Sequence, residues 1–510
     1  MESPDQRLGF AESPIQLPSA PAYVNVQSHQ LLRLTLKTPK LSAGSWQRVN
    51  PLALSILLAI TALILSNLVF PVNILILASG ISMVCASQIL LHIPGVYWFI
   101  GNRIASGEWM RHRMRQRMRQ PKPTAPEPFP CRSTEDKLMP DTMPMITLLI
   151  PLYKEAGMVN QINQMLQKIN YPAHKMDVLI LLEQGDQDTL RASQKQVFHQ
   201  PTRIITTPSG SPRTKPRACN NGLFLAKGTI IGIYDAEDLP HPDQLLEVAE
   251  TFANGPAKLA CLQAPLNING TGYHPLKNLF ALEYKMLFNF LLPSLINWDL
   301  PMPLSGSSNF FRRDVLETIG HWDAYNLTED ADIGMRLARS GYTIGLLSKP
   351  TMEMAPDSVR DWFFQRTRWL TGFLQTYLVH MREPKILMAE LGLAKFVTFN
   401  FLYSARLASG IAHCACLYWI SFHLETLKNF LVSNPVGWLS IIAYSNIIFI
   451  ICGLWIISST WRQRLYSLLL PLYWLVFVAP LILAIYNLIR RNFKWYKTPH
   501  LPELLANPLE

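Results

Sequence analysis

Paired cysteines are missing from this chain of 510 residues: its seven cysteines stand at 85, 131, 219, 261, 414, 416 and 452 without a CxxC spacing. Structural zinc is therefore excluded, and a reducing compartment fits. Neither a Walker A loop nor a Rossmann glycine fingerprint occurs, which counts against an ATPase and a dehydrogenase. Charge is also sparse. Asp, Glu, Lys and Arg make up 16% of the chain, and none of them falls between Pro51 and Ile100.

What is there instead is apolar sequence in two long zones. Pro51 to Ile100 is long enough for two helices of about 20 residues each, broken near Pro71, and too long for one signal peptide. The second zone runs from about Ala394 to Ile489, with stretches near 396–424, 436–458 and 466–489. The net charge of +11 invites a nucleic-acid reading, but the basic residues gather at membrane borders. Arg103, Arg111, Arg113, Arg115, Arg117, Arg119 and Lys122 directly follow the second apolar stretch. By the positive-inside rule they put the central domain in the cytosol of a multi-pass protein, and no nucleic-acid partner is expected.

The expected layout is a disordered cytosolic tail (1–50), two membrane helices (51–100), a basic, proline-rich linker (101–139) and a soluble domain (140–357). Interfacial helices (358–392), about three further membrane segments (393–490) and a tail (491–510) complete it. Topology leaves one conflict. Three spans after a cytosolic domain would end outside, whereas Arg490, Arg491, Lys494 and Lys497 prefer the inside; a break or re-entry at Pro471 and Pro480 would resolve it.

Within the soluble domain short apolar runs alternate with helical patterns: Met145 to Pro151, a helix over Val159 to Ile169, Met176 to Leu182, a helix to about Phe198, then Arg203 to Thr206. This βαβ rhythm predicts an α/β domain with a mostly parallel sheet, whose ligands bind beyond the carboxyl ends of the strands.

Three motifs sit at such ends or nearby. Gly228 to Asp238 reads as a buried strand releasing Asp235, Glu237 and Asp238, hard oxygen donors suited to Mg²⁺ or Mn²⁺. A solvated strand end, with Asp238 capping a helix near Pro242, is the plainer alternative. Thr328-Glu329-Asp330 precedes a helical run ended by Gly341, so Asp330 is an N-cap, a general base for an attacking hydroxyl, or both. Gln365, Arg368 and Trp369 share one face of a helix over Ser358 to His380, an amide, a phosphate-binding fork and a flat platform for a sugar ring. Trp362, Phe363, Phe364, Trp369, Phe373 and Tyr377 would equally suit a membrane surface. Tyr153, Glu155, Glu183 and Asp186 close two strands as base or ribose contacts or plain turns, and Lys215 and Arg217 meet phosphates or water.

In order, PLYKE, YDAED, TED and QRTRW between membrane helices, with GSSNFFRR, WDAYN and the tail Trp495 to His500, resemble family 2 glycosyltransferases of the cellulose-synthase-like kind. The resemblance implies a GT-A domain inserted between N-terminal and C-terminal membrane helices, and inverting transfer from a UDP-sugar, UDP-glucose favoured, with a divalent metal. It implies Asp235 and Glu237 as metal ligands and Asp330 as base. Tyr153, Glu155 and Glu183 become uridine contacts, Lys215 and Arg368 diphosphate contacts, and Gly306, Ser307, Gln365 and Trp369 the acceptor side. Two positions depart from the family pattern: Glu237 replaces the second acid of DxD, and Glu183-Gln184 replaces an aspartate pair. A PilZ-type regulatory domain is not expected. The chain thus reads as a processive synthase of a β-linked polysaccharide, a glucan foremost, in a bacterial inner membrane, or else a transferase adding one sugar to a lipid.

Overall fold

The computed structural model describes residues 22–24, 142–405 and 451–490, apart from 209, 270, 452, 456 and 459. The expected spans at 51–100, the linker to residue 139, the stretch at 436–450 and the tail after 490 lie outside the described residues.

Strands β1 (Ala22–Val24), β2 (Ile146–Leu152), β3 (Met176–Glu183), β4 (Thr202–Thr207), β5 (Ile230–Ile233), β6 (Leu239–Pro240), β7 (Leu259–Gln263), β8 (Leu266–Asn269), β9 (Asn309–Arg312), β10 (Thr343–Leu346) and β11 (Thr351–Met354) form two sheets. The larger runs β1-β4-β3-β2-β5-β9-β7-β10 and the smaller β6-β11-β8. From β1 to β5 all pairings are parallel, β9 is antiparallel to β5 and β7, and β10 is again parallel. β1 comes from the tail that shows no regular pattern in sequence.

Helices α1 (Val159–Lys168), α2 (Gln187–Lys195), α3 (Lys215–Leu225), α4 (Gln244–Asn254), α5 (Pro275–Met286), α6 (Leu292–Asn297), α7 (Arg313–Thr318) and α8 (Glu329–Arg339) connect the strands. α9 (Val359–His380), α10 (Pro384–Asn400), α11 (Trp461–Ser467), α12 (Leu470–Val476) and α13 (Val478–Arg490) follow. β3 is buried at every position, as a central parallel strand must be when helices cover both faces. The two-residue period then divides its neighbours. Leu148 and Ile150 of β2 pack with Ile162 and Leu166 of α1, while Leu149 packs with Leu223 of α3 and Phe280 of α5 on the other face. This is the α/β domain with a mostly parallel sheet that the βαβ rhythm predicts, and it fits the GT-A-like fold that the resemblance implies.

Three described helices are long and apolar enough to cross a membrane: Pro275–Asn297, Pro384–Ser404 and Leu470–Arg490. The first is 72% buried inside the protein, so its apolar character is answered by the core. Only 33% and 28% of the other two is buried, which leaves apolar surface such as Leu393, Val397, Leu472, Ile482 and Ile489 exposed. The stretch with Pro471 and Pro480 divides at Phe477 into α12 and α13. Of the aromatics suited to a membrane surface, Trp362 and Tyr377 instead lie in the core, packed by rings of the apolar helices.

Candidate active site

β5 delivers Asp235 one residue beyond Tyr234, at the carboxyl end of the sheet's middle. Its carboxylate pairs with Lys215 Nζ from the first turn of α3, and the same ammonium donates to the Gly306 carbonyl at 2.7 Å. Burial works against the Lys215 charge, but Asp235 and Glu329 outweigh it and raise its pKa. A Cβ added at Gly306 would lie 3.5 Å from Asp330 Oδ2 and 4.0 Å from Lys215 Nζ. Glycine there keeps the base candidate and the cation within reach of one small space.

Asp330 does not occupy the N-cap. That position is Thr328, which makes no side-chain capping bond; Asp330 is the second residue of α8, where its Oδ1 accepts from its neighbour Ala331 N at 2.9 Å. The correction is physical. Asp330 enjoys the positive end of the helix while its other oxygen is left for chemistry. Burial raises its pKa, and Lys215 and Arg368 hold part of that rise back. Asp238 likewise caps no helix: the N-cap of α4 is Asp243, and Asp238 Oδ2 accepts from Asp235 N at 2.8 Å, bracing the turn that carries Asp235 and Glu237.

Arg368 of α9 feels Glu329, Asp330 and Asp235, and its Nη1 reaches the Leu327 carbonyl at 3.5 Å. Gln365 is buried with an unpartnered Oε1, and Trp369 lies beside Phe280 at 6.4 Å. The helical face continues past the motif. Gln375 accepts from Leu327 N at 3.0 Å, and Thr376 accepts from Asn326 Nδ2 at 2.9 Å, so α9 sews down the loop that leads into α8 and Asp330. Gly372 lies between them, where a Cβ would come within 2.6 Å of Thr328 N. Gly372→Ala should therefore push α9 from the loop and cut transfer roughly 100-fold, the scale of a small misplacement. Steady-state transfer beside a melting curve checks this, and an unchanged rate would mean that the contact has slack.

At the other edge Tyr153 follows β2, and its N–H donates to Glu155 Oε2 at 3.3 Å. Glu183 ends β3 with Oε1 unpartnered, and burial raises its pKa against the pull of Arg217 and Arg213. Arg217 is buried, donating to Glu183 at 3.5 Å and to the Pro208 carbonyl, so it is neither solvated nor free of partners. Asp186 is spent locally: it caps α2 through Thr189 N and accepts from Lys154 N at 2.5 Å. Ser307 is buried, its carbonyl accepting from Gln263 at 3.1 Å.

One residue escaped the sequence reading. Glu353 of β11 faces the acid cluster; burial, and then Glu237 and Asp235, push it up to about 8, and its Oε2 has no hydrogen-bond partner. Asp235, Glu237, Asp238 and Glu353 thus gather more carboxyl groups than the site ionises by itself, with Lys215 paired to Asp235. That donor set fits a hard divalent cation. Among the described residues no three such groups form a ready-made metal cage.

Comparison with known proteins finds glycosyltransferases among the similar chains. The chain is 22% identical over 380 residues to "Probable glycosyltransferase YdaM" of Bacillus subtilis, covering 70% of this chain and 87% of that one. It is 24% identical to the beta-monoglucosyldiacylglycerol synthase of Synechocystis sp., over 56% of this chain and 60% of the relative. With the cellulose synthase catalytic subunit of Xanthomonas axonopodis pv. citri it shares 26% identity over 46% of this chain and 32% of the relative. The model of "Glycosyl transferase family group 2" matches residues 230–496, just over half of the chain, and the protein belongs to that glycosyltransferase family.

Proposed function

We propose that the chain is an inverting transferase that moves a sugar from a UDP-sugar, UDP-glucose first, onto a growing β-linked polysaccharide. The observation that supports this most is the convergence of Asp330, Gly306, Lys215, Asp235 and Arg368 around one space. In this reading Asp330 takes the proton of the acceptor hydroxyl as that oxygen attacks the sugar C1. The bond from C1 to the diphosphate oxygen breaks, and the nucleoside diphosphate leaves with the electron pair. Lys215 and Arg368 offer positive charge to the diphosphate. Asp235 and Glu237 would hold Mg²⁺ or Mn²⁺, which when bound neutralises charge on the leaving group. Tyr153, Glu155 and Glu183 serve the base and ribose, and Gly306, Ser307, Gln365 and Trp369 the acceptor. The enzyme works as a multi-pass protein of a bacterial inner membrane, with this domain in the cytosol.

Processive growth is supported by the neighbourhood of Trp369. Its helix packs on α13, and Trp362 Nε1 donates to Tyr473 at 2.8 Å, so the acceptor side lies against an apolar helix long enough to span a bilayer. The likeness to a monoglucosyldiacylglycerol synthase favours a second reading, one sugar on a lipid. Product sizing with excess acceptor and short reaction times separates the two. Long chains beside untouched acceptor are expected, with Trp369→Ala shortening the product more than it weakens UDP binding. Uniform one-sugar products would sink processivity in favour of the lipid acceptor.

A further inference from the structure

Arg366 falls inside the Gln365 to Trp369 motif but off the face that carries Gln365, Arg368 and Trp369. It is buried, and so is its partner. Nη1 donates to Glu283 Oε1 at 2.9 Å and Nη2 to Oε2 at 2.6 Å, with side-chain exposures of 5% and 9%. Four rings surround the guanidinium, at 4.5 Å from Trp369, 4.8 Å from Phe280, 5.1 Å from Phe477 and 5.9 Å from Trp362. The carboxylate has a further donor. Tyr473 of α12 gives its hydroxyl to Glu283 Oε2 at 3.2 Å while accepting from Trp362 Nε1.

Such a pair is not a cheap source of stability, because desolvating two charges costs about what their attraction returns. What it does supply is a fixed geometry. A two-pronged fork has one orientation, and this one is laid over the Trp369 indole, holding that ring against Phe280. The second anchor of the fork belongs to Leu470–Arg490, the segment most apolar among the candidate spans.

We propose that Glu283 and Arg366 are positioning residues for the acceptor sugar, acting through Trp369, and that Tyr473 ties their alignment to the apolar helix Leu470–Arg490. The inference rests on Trp369 being the acceptor platform. A displacement of α12 then changes the tilt of the platform without touching the donor site, where Lys215, Asp235 and Arg368 are held by other contacts.

The test uses the full-length protein in lipid nanodiscs, with UDP-glucose as donor and a cello-oligosaccharide or diacylglycerol, whichever the wild type extends, as acceptor. Tyr473→Phe removes the hydroxyl and both of its bonds, of which the one to Glu283 acts on the platform, and should raise the acceptor KM about threefold to tenfold, the scale of that lost bond, with the donor KM unmoved. Glu283→Gln should do so more strongly, and Arg366→Lys should recover part of what Arg366→Met loses. Where Glu283→Gln fails to fold, Tyr473→Phe decides. Trp369→Ala serves as reference. If it raises the acceptor KM and Tyr473→Phe does not, or if Tyr473→Phe raises both KM values alike, the positioning role is overturned and the platform stands. If Trp369→Ala leaves the acceptor KM alone, the platform itself has failed and the inference goes with it.

Discussion

Asp330→Asn should lower transfer about 100- to 10,000-fold, the usual worth of a general base, while UDP binds nearly as before. The carboxylate stands at the second position of α8, with Oδ1 tied to the backbone and Oδ2 beside Gly306. An asparagine keeps the shape and the backbone bond and loses only the capacity to take a proton. The pH profile adds a second check. Burial raises the pKa of Asp330, and burial with the Asp330 charge raises that of Glu329, so the two carboxylates titrate as a pair above the ordinary range. A base works in its ionised form. Transfer should therefore climb with pH through that pair and then level off, and Asn at 330 should leave a residual rate without the climb. A variant retaining more than about half of the wild-type rate would reduce Asp330 to a helix-end charge, since even weak general-base catalysis exceeds twofold.

The sheet and its motifs were legible because they depend on local pattern. β2 and β3 are continuous apolar runs, and the expected limits at Met176 and Thr206 fall within one residue of the strand ends. The helix over Ser358 to His380 is likewise one residue from α9, whose cap Ser358 accepts from Asp361 N. What stayed hidden depends on distant partners. Glu353 reaches the Asp235 cluster through the small sheet, where β6 has two residues and β11 four, too short for any period to show. Arg217 reads in sequence as a contact of phosphate or water; only the fold reveals that Glu183 has already taken it, as Glu283 has taken Arg366. The cap at Thr328 was missed because Glu329 and Asp330 both belong to the helix, a two-residue difference that places Asp330 in its first turn.

Metal removal should have an effect of similar size. Chelation with EDTA should reduce transfer at least about 100-fold, because charge neutralisation at a leaving group is worth several kcal/mol, and Mg²⁺ or Mn²⁺ should restore it. The reason lies in the charge inventory at the end of β5. Burial, with repulsion from Asp235 and Glu237, raises the pKa of Asp238 and Glu353, so the cluster resists full ionisation unless positive charge is added. Lys215 pairs directly with Asp235, and its second bond to Gly306 fixes it on that side. A diphosphate brought into this space would meet repulsion unless a divalent cation came with it. Glu237→Gln removes one hard ligand and should raise the metal concentration for half-maximal activity about tenfold or more, with the saturated rate less affected. Asp235→Asn, which loses both a ligand and the Lys215 partner, should not be rescued by metal at all. Undiminished transfer in the presence of chelator would remove Asp235 and Glu237 from the metal role and leave Lys215 and Arg368 as the groups facing the diphosphate.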